Sequence, residues 1–206
     1  MRIRKLKVSN YRAVSEAEID VNAVTSIIGE NNSGKSAFLR AIDLFFDSAP
    51  NVKPEDFHLR QVEKPIEITI TFGGLTPDER NLFGEKVVDG TMTVTRQLTI
   101  GGDKSYLISA LGNPAFSDIR GEQAKREKIN KYNEIRESYG LPAERSSDNI
   151  EGHFAAWEAE NPDRLVMVRQ SGFFGADNVA VGRLKAKTEF VFVPAIKDVR
   201  EEIEQK

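Results

Sequence analysis

Residues 29–36, Gly29-Glu-Asn-Asn-Ser-Gly34-Lys35-Ser36, fit the pattern G-x-x-x-x-G-K-[ST] without a mismatch. A loop of this composition wraps nucleotide phosphates. Its glycines let backbone N–H groups turn inward, Lys35 reaches the β- and γ-phosphates, and the Ser36 hydroxyl holds Mg²⁺. Gly29, Glu30, Asn31, Asn32, Ser33, Gly34, Lys35, Ser36 and Ala37 are therefore the candidate binding residues for ATP and Mg²⁺, with Lys35 also a candidate catalytic group. With glycine at about 7% of average composition, a chance match arises in roughly one chain in a hundred of this size, so the pattern outweighs a merely structural turn.

Such a loop works only if its flanks aim it. Residues 24–28, Val-Thr-Ser-Ile-Ile, form a β-branched run suited to a buried strand. From Ser36 onward, Phe38, Ile42 and Phe45 recur at helical spacing, and the polar, proline-containing stretch 50–65 ends that helix near Asp47. The loop is thus expected between a strand and a helix N-terminus, where the dipole and unpaired amides favour an anion.

The rest of the chain narrows the setting. At 206 residues with 39% hydrophobic residues it can bury a substantial core. No apolar stretch approaches the roughly 18 residues of a membrane span, and the charged start lacks a secretory core, so a cytoplasmic, membrane-free protein is expected. The absence of cysteine excludes disulfides and thiolate chemistry, and two histidines, His58 and His153, are too few for a histidine-rich metal centre. A net charge of −3 argues against coating nucleic acid unaided. The cluster Arg2, Arg4, Lys5 and Lys7 reads either as a local basic patch or as the solvated face of an edge strand.

Period-two patterns dominate elsewhere. Leu6 and Val8 alternate with lysines, and Ala17, Ile19 and Val21 alternate with acids, predicting two paired strands joined through residues 10–15. Ile66, Ile68, Ile70 and Phe72 open an antiparallel meander that continues through 91–100, the Gly101-Gly-Asp103 turn and 105–110. Arg96 falls in the apolar register of the second run, where it reads as a ligand-facing cation or, in preference, as an arginine snorkelling at a sheet margin. Residues 119–139 predict one exposed, charged helix stopped by Gly140. A second helix is expected over 148–160, with Phe154 and Trp157 as core anchors. Strands are expected at 164–168 and 189–193, the latter central, and a helix begins near 198.

Several of these pieces together resemble the N-terminal part of the ABC-type ATPase head shared by RecF, SMC and the OLD (overcoming lysogenization defect) family of ATP-dependent nucleases. Ile3-Arg-Lys-Leu-Lys-Val-Ser-Asn-Tyr-Arg12 is similar to the family's first strand and N-[FY]-[RK] turn. The paired asparagines of the loop fit this group better than transporter ATPases. Asp56-Phe-His58, residues 65–71 and Phe190-Val-Phe-Val-Pro-Ala-Ile-Lys-Asp198 are similar to OLD-family and Gabija-type sequences. The resemblance implies an α/β P-loop fold with a mixed core sheet, an antiparallel β subdomain and a helical insertion. It divides the chain into a P-loop lobe at 1–64, the β subdomain at 65–111, the insertion at 112–160, and return strands with the start of a helix at 161–206.

The same resemblance places Arg12 beside the phosphates as a second catalytic cation, and leaves Asn32 either positioning a phosphate or water, or only shaping the loop. Related heads complete the Mg²⁺ shell with a glutamine after a central strand. No glutamine stands at 193–198, and Gln170 is the rival metal-ligand candidate. No apolar run ending in Asp-Glu, no S-G-G signature loop and no acidic nuclease constellation is recognisable, so the chain is expected to be the N-terminal part of a longer protein. The implied whole is an ATPase whose heads pair around ATP as a homo-oligomer and gate an action on DNA. It is expected to be an OLD-family nuclease in phage defence, with an accessory defence partner possible, or alternatively a RecF- or SMC-type clamp without nuclease chemistry.

Overall fold

The computed structural model describes residues 1–31, 33–101, 104–171, 184, 187 and 188. Its centre is one six-stranded sheet made by β1 (Arg2–Tyr11), β2 (Val14–Asp20), β3 (Ile66–Gly73), β4 (Met92–Leu98), β5 (Lys104–Gly112) and β6 (Val166–Gln170). The strand order is β2-β1-β3-β4-β5-β6, and every neighbouring pair is antiparallel. A mixed sheet was the expectation; among the described residues no parallel pair occurs, and the expected strand at 189–193 and helix from 198 lie outside them. Because β1 pairs with β3 from Arg2↔Gly73 to Ser9↔Glu67, the first hairpin and the 65–111 meander share one sheet.

Alternation along the strands decides what lies on each face. Ile66, Ile68, Ile70 and Phe72 are fully buried, and they stand level with Leu6 and Val8 on one side and Met92, Val94 and Leu98 on the other. Helix α1 (Lys35–Phe46) covers this face, with Phe38, Ala41, Ile42 and Phe45 in the same core. Each such large apolar side chain contributes about 1.5–3 kcal/mol by leaving water. The opposite face is polar: Thr69 pairs with Thr95 at 2.8 Å and Thr71 with Thr93 at 2.9 Å across the strands.

β1 is an interior strand, which corrects the edge-strand reading of the basic cluster. Lys5 meets Glu18 at 2.7 Å and Lys7 meets Glu16 at 2.5 Å on β2. The acids of one strand thus neutralise the lysines of the next.

Between β3 and β4 stands a short helix, α2 (Pro77–Phe83), absent from the sequence expectation. Its signal was present: Thr76 accepts from the Glu79 amide while the Glu79 carboxylate accepts from Thr76 N, and Pro77 occupies the first helical position.

The helical segment after β5 is split more finely than expected. Asn113 caps α3 (Pro114–Gly121), which is followed by α4 (Lys125–Ile135) and, after a short 3-10 turn over Arg136–Tyr139, by Gly140 at φ +66°. Gly121 is a poor helix former, and the Glu122 carboxylate accepts from Ala124 N, so a fresh helix starts there. α5 (Ile150–Glu160) packs back on these helices through a second core of Phe116, Ile119, Tyr132, Ile150, Phe154 and Trp157. Phe116 and Phe154 stack at 4.1 Å. Arg120 lies between Glu151 and Glu158 at 2.8 and 2.9 Å; burial opposes its charge, but the hydrogen bonds it donates to the two carboxylates outweigh that and raise its pKa. Glu158 also accepts from Asn113 N at 2.9 Å and so ties α5 to the start of α3. Among the described residues no helix is long and apolar enough to cross a membrane.

Candidate nucleotide-binding site

The glycine pattern acts through Gly34. It sits at φ +90° as the N-cap of α1, and a Cβ there would stand 3.1 Å from Val14 Cγ2 and 3.4 Å from Ala13 Cβ. Both the backbone conformation and the close approach of the β1–β2 turn therefore favour glycine. At Gly29 a Cβ would meet Ser33 Oγ at 2.9 Å, while Ser33 N donates to Glu30 O at 3.2 Å to close the turn.

The first helical hydrogen bond of α1 runs from Phe38 N to Gly34 O at 2.8 Å. The amides of Lys35, Ser36 and Ala37 precede it and have no acceptor within the helix. No side chain caps this end and no acid stands in the first turn, so its positive dipole is unopposed. Lys35 Nζ bends over the loop to donate to Gly29 O at 2.7 Å and Glu30 O at 2.5 Å. Gly29, Glu30, Asn31, Ser33 and Ser36 are exposed, and Asn32 lies outside the described residues. The left-handed turn at Gly34, the uncapped amides and the adjacent lysine and serine fit a nucleotide phosphate with its Mg²⁺.

The expected strand before the loop is not formed. Residues 21–30 are irregular, Val24 and Ile28 are 86% and 93% exposed, and Asn22 N bonds to Thr25 Oγ1 instead. A β-branched run becomes a strand only where a neighbour satisfies its N–H and C=O groups, and no strand among the described residues pairs with it.

Arg12 and the loop are brought to the same end of the sheet by the turn that contacts Gly34. Arg12 adopts φ +50° and Asn10 φ +55°, a tight kink that the segment after α1 grips. The Asn10 side-chain amide donates to Gln61 O and Lys64 O at 3.0 and 2.8 Å. Arg12 N donates to Asp56 O at 2.7 Å, its guanidinium meets the Asp56 carboxylate at 2.9 Å, and His58 Nδ1 lies 2.9 Å from Arg12 O. Phe57, between them, is buried and bridges to Tyr11. The Asp56-Phe-His58 triplet, noted in the sequence only as a likeness, is thus the clasp on the arginine turn.

If Arg12 reaches the γ-phosphate, Arg12→Ala is expected to lower ATP affinity by about fivefold and leave ADP affinity nearly unchanged, one charge-assisted hydrogen bond being worth about 1 kcal/mol at a half-exposed position. Titration of both nucleotides checks this, and an unchanged ATP/ADP ratio would reduce Arg12 to a structural turn residue.

Gln170 is placed elsewhere. It is buried on β6 opposite Ile108, accepts from Lys86 Nζ at 3.1 Å, and lies four strand positions from β1, about 19 Å at ordinary strand spacing. Among the described residues no group of three or more His, Asp or Glu side chains converges to hold a metal.

Comparison with known proteins agrees with the loop. The model of the AAA ATPase domain family matches residues 1–160. A stretch of 75 residues, 34% of this chain and 14% of the relative, is 35% identical to the OLD nuclease of Thermus scotoductus. A stretch of 105 residues, 47% of this chain and 17% of the relative, is 25% identical to the Old nuclease of Escherichia phage P2. The matched stretches thus span less than a fifth of each relative's length. A solved structure from work on ATP-driven dimerization and DNA stimulated activation of SMC ATPases shares 21% identity over 52% of this chain and 69% of that one. The TM-score between the two is 0.38. With three quarters of its length matched by the family model, the chain belongs to the AAA ATPase domain family.

Proposed function

We propose that residues 1–206 carry the ATP·Mg²⁺-binding part of an OLD-type ATPase that gates a DNA-cutting activity in a longer, cytoplasmic protein. The observation that carries this reading is the uncapped N-terminus of α1, where Gly34 at φ +90° precedes three amides without a helical acceptor, beside the Lys35 and Ser36 side chains. Lys35 would hold the β- and γ-phosphates and Ser36 the metal, whose charge would offset that of the phosphate oxygens. Arg12, on the turn packed against Gly34, would add a cation at the terminal phosphate. Likeness to two OLD nucleases supports DNA as the target, and phage defence is the setting we propose for it. Paired heads would form a homo-oligomer around ATP, and an accessory defence partner would set the trigger.

Ground-state binding alone does not lower a chemical barrier. The 206-residue chain is therefore expected to bind ATP but to release phosphate no faster than its Lys35→Ala variant, and to leave plasmid DNA intact in Mg²⁺ and Mn²⁺. Phosphate release and plasmid nicking, measured side by side, test this. Robust Lys35-dependent hydrolysis would place a catalytic acid within the chain, with Asp177 and Asp198, both outside the described residues, the first to replace.

A further inference from the structure

Arg96 is neither of the things its sequence position suggested. It is fully buried, at 0% exposure, in the middle of β4, opposite Ile68 on β3 and Tyr106 on β5. Neither a ligand nor solvent reaches it. Its acceptors are three backbone carbonyls at the C-terminal end of α1: one terminal nitrogen, Nη1, donates to Leu44 O at 2.6 Å, Phe45 O at 2.9 Å and Asp47 O at 2.5 Å. Nε and Nη2 have no acceptor, and the guanidinium lies over the Tyr106 ring, 4.8 Å from its centroid. The Tyr106 hydroxyl donates to the same Phe45 O at 2.5 Å.

A buried cation held by carbonyls and a ring rather than by a carboxylate is costly, and an apolar residue in this register would pack against Ile68 without that cost. The arrangement does something an apolar residue cannot. The last carbonyls of a helix lack partners and form its negative end, and α1 has no basic residue in its last turn and no glycine at its C-cap, Asp47. The sheet supplies the cap instead. Helical carbonyls are offset by about 100° and 1.5 Å per residue, so gripping those of residues 44, 45 and 47 fixes both the rotation of α1 and its position along its axis. The 12-residue helix transmits that setting to its other end, where Gly34 meets the β1–β2 turn.

We infer that Arg96, together with Tyr106, is a positioning residue for the phosphate loop: a sheet-borne clamp on the far end of α1 that sets where the Lys35, Ser36 and Ala37 amides stand relative to the Arg12–Ala13 turn. This rests on the reading of the loop as an ATP site.

The test compares wild type, Arg96→Met, Arg96→Lys and Tyr106→Phe in the 206-residue chain. For each, the melting temperature without nucleotide, ATP affinity well below that temperature, and amide hydrogen exchange along α1 are measured. The clamp requires Arg96→Met to bind ATP at least tenfold more weakly without a matching loss of melting temperature, Arg96→Lys to recover part of the affinity, and Tyr106→Phe to lose about threefold. Exchange at both ends of α1 should quicken in Arg96→Met even without nucleotide. Wild-type affinity in a folded Arg96→Met variant, or a fall in melting temperature alone, would overturn the inference. Should Arg96→Met not fold, wild-type affinity in Tyr106→Phe would do the same. Failure of wild type itself to bind ATP would reject the nucleotide reading, and the exchange data would still decide whether the clamp holds the helix.

Discussion

Lys35→Ala is expected to weaken ATP binding by about 10- to 150-fold, since each hydrogen bond from a charged group contributes about 1.5–3 kcal/mol and every 1.4 kcal/mol is a factor of ten. Two effects act in the same direction. The ammonium is lost from the phosphates, and so are its bonds to Gly29 O and Glu30 O, which hold the loop arched. The melting temperature should scarcely move, because Lys35 lies at the surface end of α1 and leaves the core that begins at Ala37 and Phe38 untouched. Calorimetric titration of wild type and variant measures the change, and equal affinities would remove the nucleotide site altogether.

Phe154→Ala should have the largest effect on stability. Phe154 is fully buried, stacks on Phe116 at 4.1 Å, lies 5.6 Å from Tyr132, and has the Arg120 guanidinium 5.5 Å from its ring. Removing a buried phenyl ring costs about 3–5 kcal/mol, and in a chain of this size that lowers the melting temperature by roughly 10 °C. The cavity would open in the second core, separate from the cluster of Phe38, Ile42 and Phe45 that seats α1. ATP affinity, measured below the melting transition, should therefore stay within about twofold of wild type. Thermal unfolding followed by circular dichroism, with an ATP titration alongside, checks both halves. A large fall in ATP affinity would mean that the helical segment and the loop are coupled, against the separation of the two cores.

The two expectations differ in how much of them a reader of the sequence could anticipate. Phe154 and Trp157 were expected as core anchors from their spacing alone, and both are buried. The split of 119–139 into separate helices was not anticipated, because the charged composition of that stretch hides the starts at Asn113-Pro114 and after Gly121. α2 was missed although Thr76-Pro-Asp-Glu79 carries a capping box, its seven residues being too short for helical periodicity to register.

By itself the sequence determined what each segment can do locally. The glycines and the G-K-S triplet define a loop whose backbone N–H groups turn inward onto an anion. The spacing of Phe38, Ile42 and Phe45 gives α1 its buried stripe, and alternation in β3, β4 and β5 gives the sheet its faces. Tertiary structure decided everything that needs a partner distant in the chain. Residues 24–28 have the composition of a strand but stay irregular among the described residues, since backbone groups need a neighbour to bond. Arg12 meets Asp56 across 44 positions, and Gln170 meets Lys86 rather than the loop. Arg96 reads as polar in an apolar register until α1 is laid across the sheet and its last carbonyls arrive 49 to 52 positions away in sequence. Side-chain period depends on backbone geometry and is written locally, whereas the acceptor that a buried donor finds depends on which elements pack together.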